Sequence, residues 1–214
     1  CDLVMDDQAL ADVLIDEARS SGVIIHPHTR VSGLTTNGRL KVNGDVSSFD
    51  HVINAAGPWV SEVLTKAKID SKFEIEHVRG SHLLLELTLP NALVFQVPSD
   101  NRIVFCIPQA ANEVLLGTTE HAHQLADPIE CSEAEIDYLL ALLNNHIQTP
   151  VTRDHITATL SGVRPIAKAK HSQLSNMSTA SRDSEIEIIG SLINIFGGKW
   201  TSARLLVLMV SSLI

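Results

Sequence analysis

The stretch from Leu192 to Arg204, Leu-Ile-Asn-Ile-Phe-Gly-Gly-Lys-Trp-Thr-Ser-Ala-Arg, constrains the fold more than any other part of the chain. Its apolar run Leu192 to Phe196 fits a buried strand, Gly197-Gly198 ends that strand, and Lys199 through Val210 has helical character. Strand, glycine turn and helix in succession predict α/β architecture, and the same arrangement is suited to binding an anion. Two residues without Cβ admit a ligand close to the main chain, and the first helical turn offers amide donors that lack intrahelical partners. Lys199 and Thr201 add a cation and a hydroxyl. Read locally, the alternative is an ordinary strand-to-helix connection with its lysine in water.

The remainder of the chain supplies the context for that turn. Asp6-Asp7 precede Leu10, Val13, Leu14 and Ala18 at helical spacing, and Gly22 follows, which predicts a helix over about Asp7 to Ser21. Val23 to His28 reads as a strand; Arg30–Leu34, Arg39–Val42 and Val46–Phe49 read as a meander turned at Asn37-Gly38 and Asn43-Gly44. His51 to Val60 reads as a short buried strand entering a Gly-Pro turn, followed by a helix to about Ala67. From Lys72 to Thr119 strands dominate, at Phe73–Val78, His82–Leu89, Leu93–Val97, Ile103–Ile107 and Val114–Gly117, and predict an antiparallel sheet. The capping box Ser132-x-x-Glu135 and the apolar face Ile136, Leu139, Leu140, Leu143, Ile147 predict a helix over Glu133–His146 packed on that sheet. Strands at Ile156–Leu160, Glu185–Ile189 and Leu192–Phe196 follow, the segment Ala167–Ser181 is expected to be a loop, and the last helix, apolar on all sides, is expected to be buried. The fold class is therefore α/β, in part α+β.

Charge narrows the function classes. With 16 Lys+Arg against 25 Asp+Glu the net charge is −9, which argues against nucleic-acid binding, so an anion site must be a local concentration of cations. Cys1, Cys106 and Cys131 are far apart and form no C-x-x-C, which fits a reducing compartment and neither a disulfide framework nor a zinc site; the expected location is cytoplasmic. The longest apolar run, Leu205–Val210, is far below the roughly 18–20 residues of a spanning helix. No signal peptide opens the chain, and a start without methionine predicts a piece of a longer protein.

The cationic candidates are Lys199, Arg164 in Ser161-Gly-Val-Arg-Pro165 and Arg182 in Ser181-Arg-Asp183. Arginine presents a planar fork matched to carboxylate or phosphate, and a lysine at a helix start supplies a point charge; singly, each is also an ordinary surface residue. His82, in Arg79-Gly-Ser-His82, is placed to act as a general base or to be a satisfied structural histidine. His26-x-His28 and His121-x-His123 could each put two rings on one strand face, but neither has a third ligand at a persuasive spacing, so no metal is expected. G-x-S-x-G, the P-loop and G-x-G-x-x-G are absent from the sequence.

Seven blocks in order, Asp6-Asp7, Val52-Ile-Asn-Ala-Ala-Gly-Pro-Trp-Val60, Arg79-Gly-Ser-His82, Arg102-Ile-Val-Phe-Cys-Ile-Pro108, Leu116-Gly-Thr-Thr-Glu120, Ser161-Gly-Val-Arg-Pro165 and Phe196-Gly-Gly-Lys-Trp-Thr201, resemble the FAD-dependent glycerol-3-phosphate dehydrogenases. The resemblance covers essentially the whole chain. It implies an FAD-binding α/β domain interrupted by an antiparallel substrate domain, with boundaries at residues 1–70, 71–183 and 184–214. It implies oxidation of glycerol 3-phosphate to dihydroxyacetone phosphate, with electrons passed to quinone at a membrane contacted peripherally, the inner membrane of a bacterium. By the same likeness Val31, Ala55, Ala56, Gly57 and Trp59 would line the nucleotide side of FAD, and Gly197, Gly198, Lys199, Trp200 and Thr201 would sit against the flavin. Arg164, Arg182 and Lys199 would hold the substrate and its phosphate, and His82 would take the proton from the C2 hydroxyl.

Two departures bear on these expectations. The glycine-rich fingerprint that seats the FAD pyrophosphate is absent, which predicts an inactive fragment of an active parent. Trp200 stands where a smaller aliphatic residue is usual, and Ser202-Ala203 where Thr-Tyr is common. An oxidase that hands electrons to oxygen, a catalytically silent binding module of the same fold, and a homodimer all stay open at this point.

Overall fold

The structure, a computed structural model, describes residues 6–97, 102–171 and 183–214. Its centre is a six-stranded antiparallel sheet built from β5 (Phe73–Glu86), β6 (Leu93–Val97), β7 (Arg102–Ala110), β8 (Glu113–Gly117), β9 (His121–Ala122) and β10 (Ile156–Ala169). The strand order is β10-β5-β8-β7-β6, with β9 pairing to β5 beyond the end of β8. Along β5, Arg79, Ser81, Leu83 and Leu85 point to one face, and Val78, Gly80 and His82 to the other, as the two-residue period requires.

The first face is covered by α3 (Glu133–Asn144). Its start is fixed by the capping box, in which the Ser132 side chain accepts from the Glu135 N–H while the Glu135 carboxylate accepts from Ser132. Ile136, Leu139, Leu140 and Leu143, at helical spacing, meet Leu83, Leu85, Val104, Cys106, Val114 and Leu116 of the sheet. Leu139 and Leu143 are fully buried there, at about 1.5–3 kcal/mol each by removal from water.

A second apolar cluster lies at the other end of β5. The strands β4 (Val52–Asn54) and β12 (Leu192–Phe196) pair in parallel, β11 (Glu185–Ile189) pairs antiparallel to β12, and α2 (Val60–Ala67) packs on them through Val60 and Leu64. Phe73 and Ile75 of β5 and Ala167 of β10 join this cluster, with the Phe73 and Phe196 ring centroids 5.8 Å apart. A small meander of β1 (Val31–Leu34), β2 (Arg39–Val42) and β3 (Asp45–Ser48) stands beside it, and α1 (Asp7–Ser20) opens the described chain, capped by Asp6.

Several expectations require correction. Val23–His28 is not a strand: Pro27 has no N–H, His28 has φ 56°, and Val23 and Ile24 are exposed with no strand beside them. β5 and β10 do not break at Arg79-Gly-Ser and Ser161-Gly; each runs unbroken for 14 residues, with Gly80 opposite Gly162, so Arg164 lies mid-strand. The expected loop from Ala167 begins inside β10, and its portion from 172 to 181 lies outside the described residues. The last helix is a 3-10 turn, Trp200–Ser202, followed by α4 (Ala203–Ser211), and it is not buried. Only Val210 is covered, while Leu205, Val207 and Leu208 are each at least 60% exposed, because no other described element packs over that side.

Candidate active site

The face of β5 turned away from α3 carries His82, and β10 brings Arg164 onto the same face opposite Val78. The His82 ring is half-buried between Gly117 on β8 and Leu160 on β10. Burial, and second the positive charge of Arg164, hold its pKa below the ordinary 6.5. At neutral pH the imidazole is therefore uncharged and able to accept a proton.

Arg164 is oriented by two residues that follow β8. Its Nη1 donates to Glu120 Oε1 at 3.2 Å, and its Nη2 to Thr118 Oγ1 at 3.0 Å. The Glu120 side chain is only 6% exposed, so this is a largely buried ion pair whose disruption strands a charge. Arg164 itself keeps 28% exposure, so the guanidinium reaches solvent while its orientation is held. A planar fork held in this way offers directed donors to an incoming anion.

Behind this face, on the α3 side, a second polar group ties the strand down. Arg79 Nη2 donates to Glu135 Oε2 at 2.6 Å, and Thr119 Oγ1 donates to Glu135 Oε1 at 2.6 Å. The Ser132 N–H and hydroxyl reach the same carboxylate at 2.8 and 2.7 Å, and Thr119 Oγ1 in turn accepts the Ser81 N–H at 2.9 Å. Burial alone would raise the Glu135 pKa; the hydrogen bonds from Thr119, Ser132 and Ser81 outweigh it and bring it down to about 2.

At the junction with the parallel strands, Gly197 and Gly198 take φ of 71° and 110°, a region that favours glycine. A Cβ on Gly197 would also lie 3.3 Å from the Ala167 Cβ and 3.1 Å from the Asp183 carbonyl. The turn therefore rests against β10 three residues along from Arg164, about 10 Å in an extended strand. Lys199, exposed, precedes the 3-10 turn and donates to Asp183 Oδ1 at 3.2 Å; Trp200 and Thr201 are exposed beside it. Arg182 lies outside the described residues.

The other glycine turn, Gly57–Trp59, follows β4 and is tied to β5 by His77, whose Nε2 lies 2.7 Å from the Pro58 carbonyl. Val31, Gly33, Ala56, Trp59 and the ion-paired Glu62 and Lys66 surround a cavity of about 580 Å³. Ala55 is exposed at the end of β4, and Gly57 has φ 55°. At the last paired residues of the parallel strands, Asn54 Nδ2 donates to Asn194 Oδ1 at 3.1 Å, and the buried Asn194 Nδ2 is left without a protein partner. A buried amide without a protein partner is suited to a polar ligand.

Among the described residues no three His, Cys, Asp or Glu side chains gather as metal ligands. Residues 26–28 are not in a strand, so His26 and His28 do not share a strand face there, and the second pair meets only the two-residue β9. The sequence does not mark Thr118, Glu120 or His77 individually as site residues, and it marks Glu135 only as a helix cap. The block Leu116–Glu120 pointed at the first two, whereas the partners of Glu135 and His77 come from 56 and 19 residues away.

Comparison with known proteins gives a consistent result. The family model described as FAD dependent oxidoreductase matches residues 1–184. A glycerol-3-phosphate dehydrogenase of Pseudomonas tolaasii is 33% identical over 220 residues, covering 95% of this chain and 42% of that protein. A D-erythritol 1-phosphate dehydrogenase of Brucella abortus is 30% identical over 219 residues, with 95% and 43% covered. Among solved structures, the glycerol-3-phosphate dehydrogenase of Bacillus halodurans complexed with FAD superposes with a TM-score of 0.81 at 24% identity, over 97% of this chain and 42% of that one, and establishes the fold. The chain thus spans less than half the length of these relatives.

Proposed function

Because the chain belongs to the FAD-dependent oxidoreductase family, we propose that it carries the substrate-facing part of a flavoenzyme that oxidises glycerol 3-phosphate to dihydroxyacetone phosphate. The observation that carries this reading is the pairing of an uncharged, half-buried His82 with an oriented Arg164 on one sheet face. Oxidation of a secondary alcohol to a ketone removes a hydride from carbon and a proton from oxygen; bound FAD supplies the acceptor for the hydride, and His82 takes the proton. Arg164 binds the phosphate ester and Lys199 adds positive charge beside it; for Arg182, outside the described residues, the same role rests on the sequence resemblance alone.

FAD fits the residues present. Val31, Ala56 and Trp59 line a cavity of cofactor dimensions, Ala55 and Gly57 are the chain neighbours of Ala56, and Asn194 offers a buried unpaired amide. Gly197, Gly198, Lys199, Trp200 and Thr201 would hold the flavin ring, with backbone donors at the helix entrance favouring negative charge on it. The same reading divides the chain near residues 70 and 183, the antiparallel sheet lying between two parts of the cofactor domain. Quinone as acceptor, in a cytoplasmic protein touching the inner membrane peripherally, rests on the sequence resemblance; no helix among the described residues is long and apolar enough to cross a membrane.

The identity of the polyol phosphate admits a second reading, because a relative named for D-erythritol 1-phosphate matches over as much of the chain as the glycerol-3-phosphate enzyme does. Steady-state kinetics of the whole protein with both substrates separates the two by kcat/KM. Arg164→Ala should raise KM for the phosphate ester about 10²-fold, the loss of one desolvated charge contact. His82→Gln should lower kcat by about 10²-fold or more and abolish the acid limb of the pH profile. Unchanged turnover in both variants would remove this site from the mechanism. Hydrogen peroxide formed in proportion to substrate would make oxygen, not quinone, the acceptor.

A further inference from the structure

Two glycines lie next to the candidate base and the candidate anion-binding arginine, and a left-handed backbone is not what calls for glycine at either. Neither Gly80 nor Gly117 has a positive φ. At both positions a side chain would strike a functional group. A Cβ on Gly117 would lie 2.2 Å from Cδ2 and 2.6 Å from Cγ of His82, inside the volume of the ring. A Cβ on Gly80 would lie 2.6 Å from Thr118 Oγ1, 2.9 Å from Arg164 Nη2 and 2.9 Å from the Thr119 carbonyl. The imidazole therefore lies against the main chain of β8, and the guanidinium, with the hydroxyl that accepts its hydrogen bond, lies against the main chain of β5.

We propose that Gly117 and Gly80 are positioning residues of the site: the bare backbone at 117 seats the His82 ring, and that at 80 seats the Arg164 guanidinium against Thr118, so that base and cation are presented together on one face. This rests on the reading of His82 and Arg164 given above, but the seats exist without any substrate. Gly162, which faces Gly80 across the β5–β10 pair, is the internal control. It shares the strand geometry and the ordinary φ, but a Cβ there meets nothing within 4 Å. Of the neighbouring strands, β10 brings the Arg164 cation to His82, with Glu120 bonded to that cation, and β8 presents only the Gly117 backbone opposite it.

The test uses the chain without ligand. The His82 imidazole is followed by NMR over pH in the parent and in Gly117→Ala, Gly80→Ala and Gly162→Ala, its signal being identified by loss in His82→Ala. The parent ring should titrate below 6.5. Gly117→Ala should move the midpoint up toward 6.5, because the ring leaves its half-buried seat; Gly80→Ala should also move it up, because the Arg164 charge is displaced; Gly162→Ala should leave it where it is. A folded Gly117→Ala or Gly80→Ala chain with the parent midpoint would overturn the proposal.

Since an added methyl can also unfold the strand, Gly117→Ala is combined with His82→Ala and the melting temperatures are compared as a double-mutant cycle. If the ring is what the methyl strikes, removing the ring should restore most of the loss caused by Gly117→Ala. An equal loss with and without the ring, or failure to fold in both backgrounds, would place the conflict in the backbone and overturn the assignment. Failure to bind or turn over a polyol phosphate would sink the functional reading and leave these outcomes untouched.

Discussion

Glu135 illustrates how much one residue can do once its partners are in place. Its side chain is 1% exposed and accepts from Arg79, Thr119 and Ser132, so its depressed pKa is an interaction of the folded state. A carboxylate with a lowered folded pKa contributes stability that is fully present above the ordinary value of 4.5 and is lost as pH falls toward about 2. The loss across that window is on the order of 3 kcal/mol. Urea denaturation of the parent and of Glu135→Gln between pH 5 and about pH 2 checks this: the variant should be less stable at pH 5, and its stability should fall much less over the window. Equal slopes would show that other carboxylates govern acid unfolding. The capping half of this role was legible from Ser132-x-x-Glu135, since it is local. The pairing with Arg79 was not, because 56 residues intervene and only the packing of α3 on β5 joins them. Likewise Arg164 and His82 each stood out as residue types, whereas the Glu120 and Thr118 contacts that orient the arginine depend on the register of three strands.

For the strands and turns, glycine and proline mislead as punctuation where they sit inside long strands. Gly80 and Gly162 face one another inside a regular ladder, and Pro165 is tolerated because β10 is the edge of its sheet, where a missing N–H donor can point away from a partner. In contrast, the Asn43-Gly44 turn, the α3 cap and the strand Leu192–Phe196 are legible in the sequence, since each signal lies within a few residues. The turn Gly57–Trp59 is held differently. Its 3-10 geometry has the Trp59 N–H donating to Ala56 O, no side chain caps it, and His77 of β5 fastens it through the Pro58 carbonyl. His77→Ala should therefore cost about 1 kcal/mol of global stability, one partly buried hydrogen bond. It should also speed amide exchange at Trp59 more than at buried β5 amides such as Leu83. Uniform acceleration, or none at Trp59, would mean that packing of β10 and α2 holds the turn without the histidine.

On the scale of the whole molecule, apolar surface is distributed unevenly. The sheet covered by α3 has a closed core, whereas around the parallel strands several large side chains face outward: Val13 and Leu14 on α1, Ile53 on β4, Ile188 on β11, and Leu205, Val207 and Leu208 on α4. α1 has no buried residue at all, although its apolar spacing was read correctly as helical. An all-round apolar sequence such as α4 predicts burial only if something is available to bury it, and among the described residues nothing lies over Leu205 or Leu208. Relatives more than twice as long have further chain with which such faces could be covered. For this chain by itself, patches of that kind favour association. Light scattering as a function of concentration should show a mass above 23.2 kDa, and the triple variant Leu205→Gln, Val207→Gln, Leu208→Gln should lower that mass. Because those three side chains are each at least 60% exposed, the variant should cost little stability, within about 0.5 kcal/mol per site as for ordinary surface positions. A melting temperature that collapses on this substitution would show that α4 is packed rather than open. A parent chain that stays monomeric at high concentration would show that its apolar faces are too divided to act as a patch.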